Sequence, residues 1–182
     1  MSNSICIYCG SRIPKDVSLQ KLATDIGVAF ATEKWNLVYG GGKIGMMGLA
    51  ADAALKAGGK VTGVIPTALK RVEVAHTGLT HLYETPDMHT RKAMMERLSD
   101  AFVVLPGGFG TLDEFFEILT WRQLGFHQKP IVLINSAGYF DGLVHYVEKA
   151  LSEDFIRKDN LQLFTVANTL DETLTILKTH FK

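Results

Sequence analysis

Two residues in this chain stand where ordinary packing would not put them, and both suit a phosphorylated sugar. Arg91, in MHTRKAMMERL, shares one helical stripe with Met88, Met95 and Leu98, so a cation sits among apolar side chains. Such an arginine either snorkels to solvent or turns its fork into a polar pocket, where it matches phosphate. Its neighbour Lys92 has a plainer reading, an exposed i,i+4 pair with Glu96. Glu114 falls in the first turn of TLDEFFEILTW, directly after Pro106-Gly107-Gly108-Phe109-Gly110-Thr111. Its spacing from Thr111 is that of a capping box, and spacing alone favours that role. A carboxylate there is also placed to meet a ribose held on the preceding loop.

Two glycine-rich loops supply the anion chemistry. Gly40, Gly42 and Gly45 fit GxGxxG in GGGKIGMMG, between the strand-like NLVYG and the helical MMGLAADAAL. Gly41 and Gly42 here, and Gly107, Gly108 and Gly110 in the second loop, let backbone N–H groups approach an anion at a helix start. Thr111 adds a hydroxyl and a candidate cap. Together the loops are expected to enclose one phosphate and its sugar; the first loop alone also reads as tight packing. A dinucleotide site would add an acid about 20 residues onward. The corresponding strand ends Val64, Ile65, Pro66 and the nearest acid is Glu73, so NAD and FAD are disfavoured. The GxxxxGK[ST] order of a P-loop is missing as well.

The elements that must hold these residues follow from patterning. Short apolar β-rich runs at 5–8, 36–40, 60–65, 101–106 and 130–134 alternate with helical segments near 17–34, 45–57, 88–99, 111–124, 140–152 and 171–181. Repeated βα units predict one α/β domain over residues 1–182, a doubly wound, mainly parallel, Rossmann-like sheet flanked by helices. Ligands in such sheets bind beyond the carboxyl ends of the strands. Residues 66–87 are the least regular stretch and read as a lid, a short strand with a turn, or a partner-facing excursion.

Composition narrows the partners. The 182 residues carry 19 Lys+Arg and 19 Asp+Glu, and this balance disfavours nucleic acid while leaving room for a single phosphate. The start MSNSICIYCG lacks the charged and apolar regions of a secretory signal, and no apolar run reaches membrane-span length; a cytoplasmic protein is expected, without a membrane partner. Cys6 and Cys9 form a CxxC within a strand-like run, where an offset of three places side chains on opposite faces, and the histidines show no ligand spacing. Neither a metal nor a cofactor is expected.

CGS at 9–11, GGGKIGMMG at 40–48, EVAHTGLTHL at 73–82, DMHTRK at 87–92, PGGFGTLDE at 106–114 and TWRQLGFHQKP at 120–130 together resemble the LONELY GUY family. These are cytokinin riboside 5′-monophosphate phosphoribohydrolases, once labelled lysine decarboxylases. The resemblance covers nearly the whole chain and implies hydrolysis of the N-glycosidic bond of a nucleoside 5′-monophosphate such as AMP or isopentenyladenosine monophosphate. It makes Arg91 and Glu114 the catalytic pair, Lys92 a helper, and Gly107, Gly108, Gly110 and Thr111 the phosphate-ribose cradle. Ser11, Gly41, Gly42 and Met88 complete the expected substrate contacts. The family also implies a homodimer or larger homo-oligomer with sites near the subunit interface. Met46 stands where leucine is common, and Arg12-Ile13-Pro14 replaces a small turn beside Ser11. Met46, Met94 and Phe109 are candidates for an apolar base pocket, with core packing as the other reading. A pyridoxal-phosphate decarboxylase would need a Schiff-base lysine, which nothing here identifies. The rival from another class is a non-hydrolytic nucleotide or molybdenum-cofactor carrier sharing the PGG loop.

Overall fold

In a computed structural model that describes residues 2–70 and 74–182, the apolar runs form adjacent parallel strands. Strands β1 (Ser4–Tyr8), β2 (Asn36–Tyr39), β3 (Lys60–Pro66), β4 (His81–Thr85), β5 (Ala101–Val104), β6 (Ile131–Ile134) and β7 (Thr165–Ala167) lie in the order β4-β3-β2-β1-β5-β6-β7. Helices α1 (Val17–Thr32), α2 (Gly45–Lys56), α3 (Met88–Arg97), α4 (Phe109–Gln123), α5 (Asp141–Ser152) and α6 (Leu170–His180) cover the two faces. This is the expected doubly wound architecture. The five central strands and all six helices lie where patterning puts them.

Of the two outer strands, patterning offers β4 as one of three readings of residues 66–87 and β7 not at all. In β4 only Thr85 is buried, and in β7 only Ala167, because an edge strand is covered on too little of its surface to need an apolar run. Of the three readings of residues 66–87, the short strand is realised at β4. Glu73 lies outside the described residues.

Alternation along the central strands splits the core between the two faces. Ile5, Ile7, Leu37, Tyr39 and Val103 pack with α1 and α2 residues such as Ile26, Phe30 and Ala50. Cys6, Tyr8, Val38, Phe102 and Val104 pack with Met95 of α3 and Phe115 and Ile118 of α4. Cys6 and Cys9 fall in opposite clusters, as the strand period requires. Burial, followed by the nearby charge of Glu114, pushes both thiols upward in pKa, which keeps them protonated and poor nucleophiles.

Chain order reverses beside β1: β2, β3 and β4 run to one side of it, and β5, β6 and β7 to the other. The crevice at the carboxyl ends of β1 and β5 is therefore the topological switch point. Gly10 N–H donates to Pro106 O at 3.1 Å and ties the two strand ends together.

His127, just beyond α4, shows how the far end is closed. Its Nε2 lies 2.9 Å from Ile118 O, and Nδ1 accepts from Lys129 N–H at 3.2 Å, so the neutral Nε2–H tautomer satisfies both. Burial lowers its pKa. Because the folded state prefers the neutral ring, its contribution is complete above the unfolded value of about 6.5 and is lost as pH falls below it through the folded pKa. Denaturant midpoints measured from pH 7 down to 5 are expected to fall, and less steeply in His127→Gln. An equal slope in both proteins would refute this assignment.

Candidate active site

Arg91 enters the switch-point crevice from α3. Asp87 caps that helix, accepting from Thr90 N–H at 2.7 Å, which puts Arg91 one turn inside its start. The side chain turns inward and is only 4% exposed, settling the choice between snorkel and pocket. Its Nε donates to Val64 O at 3.1 Å and Nη2 to Gly40 O at 3.3 Å, so the ends of β3 and β2 hold two edges of the guanidinium. Nη1 lies 3.4 Å from Glu114 Oε1.

Glu114 comes from α4, and here the capping-box expectation is corrected. The helix begins at Phe109 with Gly108 as its cap residue, three positions earlier than the Thr111 cap the pattern implies. Thr111 is therefore inside the first turn and Glu114 a turn further on, too deep to return to the cap. Glu114 is instead 8% exposed and faces Arg91. Desolvating two charges is expensive, and such a pair is weak evidence of stabilisation. A buried pair opening on a cavity is better explained by chemistry.

That cavity has a volume of about 310 Å³. Arg91 and Glu114 lie in its wall, Gly108, Phe109, Gly110 and Thr111 bring the start of α4, and Cys9 and Ser11 come from the end of β1. Met47 supplies an apolar surface. The first N–H groups of a helix have no intrahelical partner, and with the helix dipole they favour an anion. The arrangement offers an anion seat at one end and a carboxylate with a fixed cation at the other.

Of the expected contacts, Ser11, Arg91, Gly108, Gly110, Thr111 and Glu114 are brought together here; Gly41, Gly42, Met88, Lys92 and Gly107 do not line the cavity. The first glycine loop is engaged elsewhere. His76 N–H donates to Gly41 O and Lys43 N–H to Val74 O, each at 2.9 Å, and Gly42 forms an antiparallel bridge with Ala75. Met46 N–H donates to Gly10 O at 3.0 Å, closing the start of α2. Gly45 has φ +69°, and a Cβ there would lie 2.2 Å from the Ser11 carbonyl carbon. The two glycine loops thus differ: the start of α4 opens on the cavity, whereas the backbone of the first loop bonds to residues 74–76 and meets the cavity wall through the Gly40 carbonyl on Arg91 and through Met47.

Lys92 is corrected too. It is buried and bridges to Asp113 at 3.0 Å and Glu117 at 3.1 Å, both on α4, while Glu96 pairs with Lys129. Burial pulls its pKa down, but the two carboxylates outweigh that and the net shift is upward, so it stays a cation clamping α3 to α4. Met88 is partly exposed beside Arg91, its Sδ 3.8 Å from Nη1. Gly107 faces a neighbouring cavity of about 240 Å³, which Met46 also lines. Phe109 is 95% exposed at the mouth, and Met94 packs against the core. Met47 was not anticipated as a site residue; only its place in the first turn of α2, after the glycine loop, hints at it. Buried His76, whose Nε2 meets Asp52 at 2.9 Å, carries no pattern that would have revealed it.

Residues 47–177 match a family described as "Possible lysine decarboxylase". A protein of Rhodococcoides fascians named cytokinin riboside 5′-monophosphate phosphoribohydrolase is 49% identical over 154 residues, 84% of this chain and 78% of that one. An Arabidopsis thaliana protein of that name is 40% identical over 176 residues, 97% of this chain and 77% of its own. Among solved structures, a molybdenum cofactor binding protein from Rippkaea orientalis superposes with a TM-score of 0.76 at 21% identity, covering 100% of this chain and 99% of that chain. The Moco carrier protein of Chlamydomonas reinhardtii gives 0.72 at 20% identity, covering 98% and 97%. At that identity the likeness is one of fold.

Proposed function

Because the chain belongs to the LONELY GUY family of cytokinin riboside 5′-monophosphate phosphoribohydrolases, we infer that it is a hydrolase that cleaves the N-glycosidic bond of a nucleoside 5′-monophosphate, releasing free base and ribose 5-phosphate. The observation that carries this reading is the buried contact between Arg91 Nη1 and Glu114 Oε1 in the wall of a cavity that also holds the start of α4.

The proposed roles follow from chemistry. The 5′-phosphate sits on the N–H groups at Gly108–Thr111, with the Thr111 hydroxyl beside it. Breaking the ribosyl C–N bond builds positive charge on the sugar, as in glycoside hydrolysis. The Glu114 carboxylate faces that charge and accepts a proton from the attacking water, whose oxygen bonds to the anomeric carbon. The bond's electron pair leaves with the base, which takes a proton from solvent. Arg91 keeps its proton at neutral pH, so it acts by charge and orientation. The older decarboxylase description does not fit this chemistry: among the described residues no lysine lines the cavity, and Lys92 is held protonated by two carboxylates.

Assembly and location extend the same reading. Phe109, Leu124 and Phe126 are exposed near the two ends of α4, surface that a homodimer with sites near its interface would cover. No helix among the described residues is long and apolar enough to cross a membrane, and a cytoplasmic enzyme is our reading. The carrier alternative retains the likeness of fold but does not use the Arg91–Glu114 contact.

The test is release of base and ribose 5-phosphate from AMP and isopentenyladenosine monophosphate, beside the same nucleosides without phosphate. Losing one charge-assisted hydrogen-bond set of about 1.5–3 kcal/mol should lower kcat/KM for the nucleosides roughly 10- to 100-fold. Tight binding of the monophosphates with no base released from any of them would sink the hydrolase and favour the carrier.

A further inference from the structure

We propose that Tyr139 is a positioning residue for the substrate phosphate, acting through the peptide bond between Gly107 and Gly108; this rests on the site reading above. Tyr139 is absent from the wall of the cavity that holds Arg91 and Glu114. Its hydroxyl donates to Gly107 O at 2.7 Å, on the side of the second cavity. In a trans peptide the C=O and N–H point in opposite directions. Fixing the Gly107 carbonyl toward Tyr139 therefore turns the Gly108 N–H away from Tyr139; Gly108 lines both cavities, and the one without Tyr139 is the cavity of Arg91 and Glu114. Gly108 is also the cap residue of α4, so this N–H joins the group that would seat the anion.

The sequence makes such a brace necessary. A peptide between two glycines has wide rotational freedom, and either orientation is sterically accessible to it. The preceding peptide is held by Gly10 N–H on Pro106 O, at 3.1 Å, so the Gly107–Gly108 peptide is the next link whose direction must be set. A hydroxyl donating to its carbonyl also polarises the amide and strengthens its N–H as a donor.

The segment that delivers Tyr139 is built to hold still. It follows β6 through a short 3-10 turn, Ser136–Gly138, in which Ala137 has φ +52°, a left-handed conformation that costs a non-glycine residue energy. Asn135 spans the turn: its Oδ1 accepts from Phe140 N–H and its Nδ2 donates to Asp141 Oδ1, both at 2.7 Å. Phe140 is buried and meets the Tyr139 ring edge-on, with centroids 5.0 Å apart. Strain of this kind persists where the surroundings over-determine it, and here it presents one hydroxyl to one carbonyl.

The experiment compares the full-length protein with Tyr139→Phe, which removes the hydroxyl and keeps the ring. Calorimetric Kd values for ribose 5-phosphate and for adenine are read beside kcat and KM for AMP. We expect Kd for ribose 5-phosphate and KM for AMP to rise together, roughly two- to tenfold, the span of one net hydrogen bond. Adenine affinity and kcat should hold, because a phosphate contact made equally in ground and transition states changes KM alone. Equal ribose 5-phosphate affinity in the two proteins would overturn the role of Tyr139 alone. Parallel loss of adenine affinity would overturn it in favour of general distortion. If the unaltered protein binds no ribose 5-phosphate, the site reading falls and this role falls with it.

Discussion

Glu114→Gln should release base from AMP about 10²- to 10⁴-fold more slowly than the unaltered protein, the range a positioned general base or acid contributes. Glutamine keeps the length of the side chain and an oxygen that can face Arg91 Nη1, now 3.4 Å from the carboxylate. What it removes is negative charge at the point where the sugar becomes cationic, and with it a proton acceptor for water. Ribose 5-phosphate binding should survive, since the proposed anion seat, at the start of α4 around Gly108, is untouched. The decisive comparison is kcat in single-turnover assays against calorimetric Kd for the product. A variant with kcat close to the unaltered value would remove Glu114 from the chemistry, whatever happened to KM.

Arg91→Ala should cost the fold as well as the reaction. The guanidinium joins three elements: the end of β3 through Val64 O, the end of β2 through Gly40 O, and α4 through Glu114. Deleting it takes the cation from a buried carboxylate and the donor from two carbonyls, and breaking a buried ion pair from one side costs about 3–5 kcal/mol. Chemical denaturation should show that loss, and base release should vanish in the folded fraction. Arg91→Lys separates the two effects. A lysine keeps the charge but has no planar fork, so it cannot serve Val64, Gly40 and Glu114 together. It should recover much of the stability and little of the activity. An alanine variant as stable as the unaltered protein would show that the guanidinium is not a structural joint.

Local patterns succeeded where burial on both faces left a continuous apolar run, as in SICIY or IVLI, and where a helix ran long enough to show its period. They were weakest at the sheet edges, where HLYET and TVA carry a strand's backbone without a strand's core. They also erred over helix starts. The Thr111-x-x-Glu114 spacing is a valid capping pattern, but the end of β5 and its tie to Gly10 begin α4 at Phe109 and leave the cap to a glycine.

By itself, then, the sequence determined the α/β class, the order of the central elements, the placement of Arg91 and Glu114 near helix starts beside the crevice, and the family. Periodicity, glycine spacing and an ill-matched charge are properties of neighbouring residues, and each can be read one segment at a time. Only the tertiary structure decided what those residues touch. GGGKIG carries the glycines of an anion loop, yet Val74, Ala75 and His76, about thirty residues on, engage its backbone. Lys92 sits four residues before Glu96, yet it is buried against Asp113 and Glu117 of another helix. Hydrogen-bond donors and charges take whichever partner the fold brings within reach. Which groups the backbone of a glycine loop meets is therefore set by long-range contacts that no local spacing records.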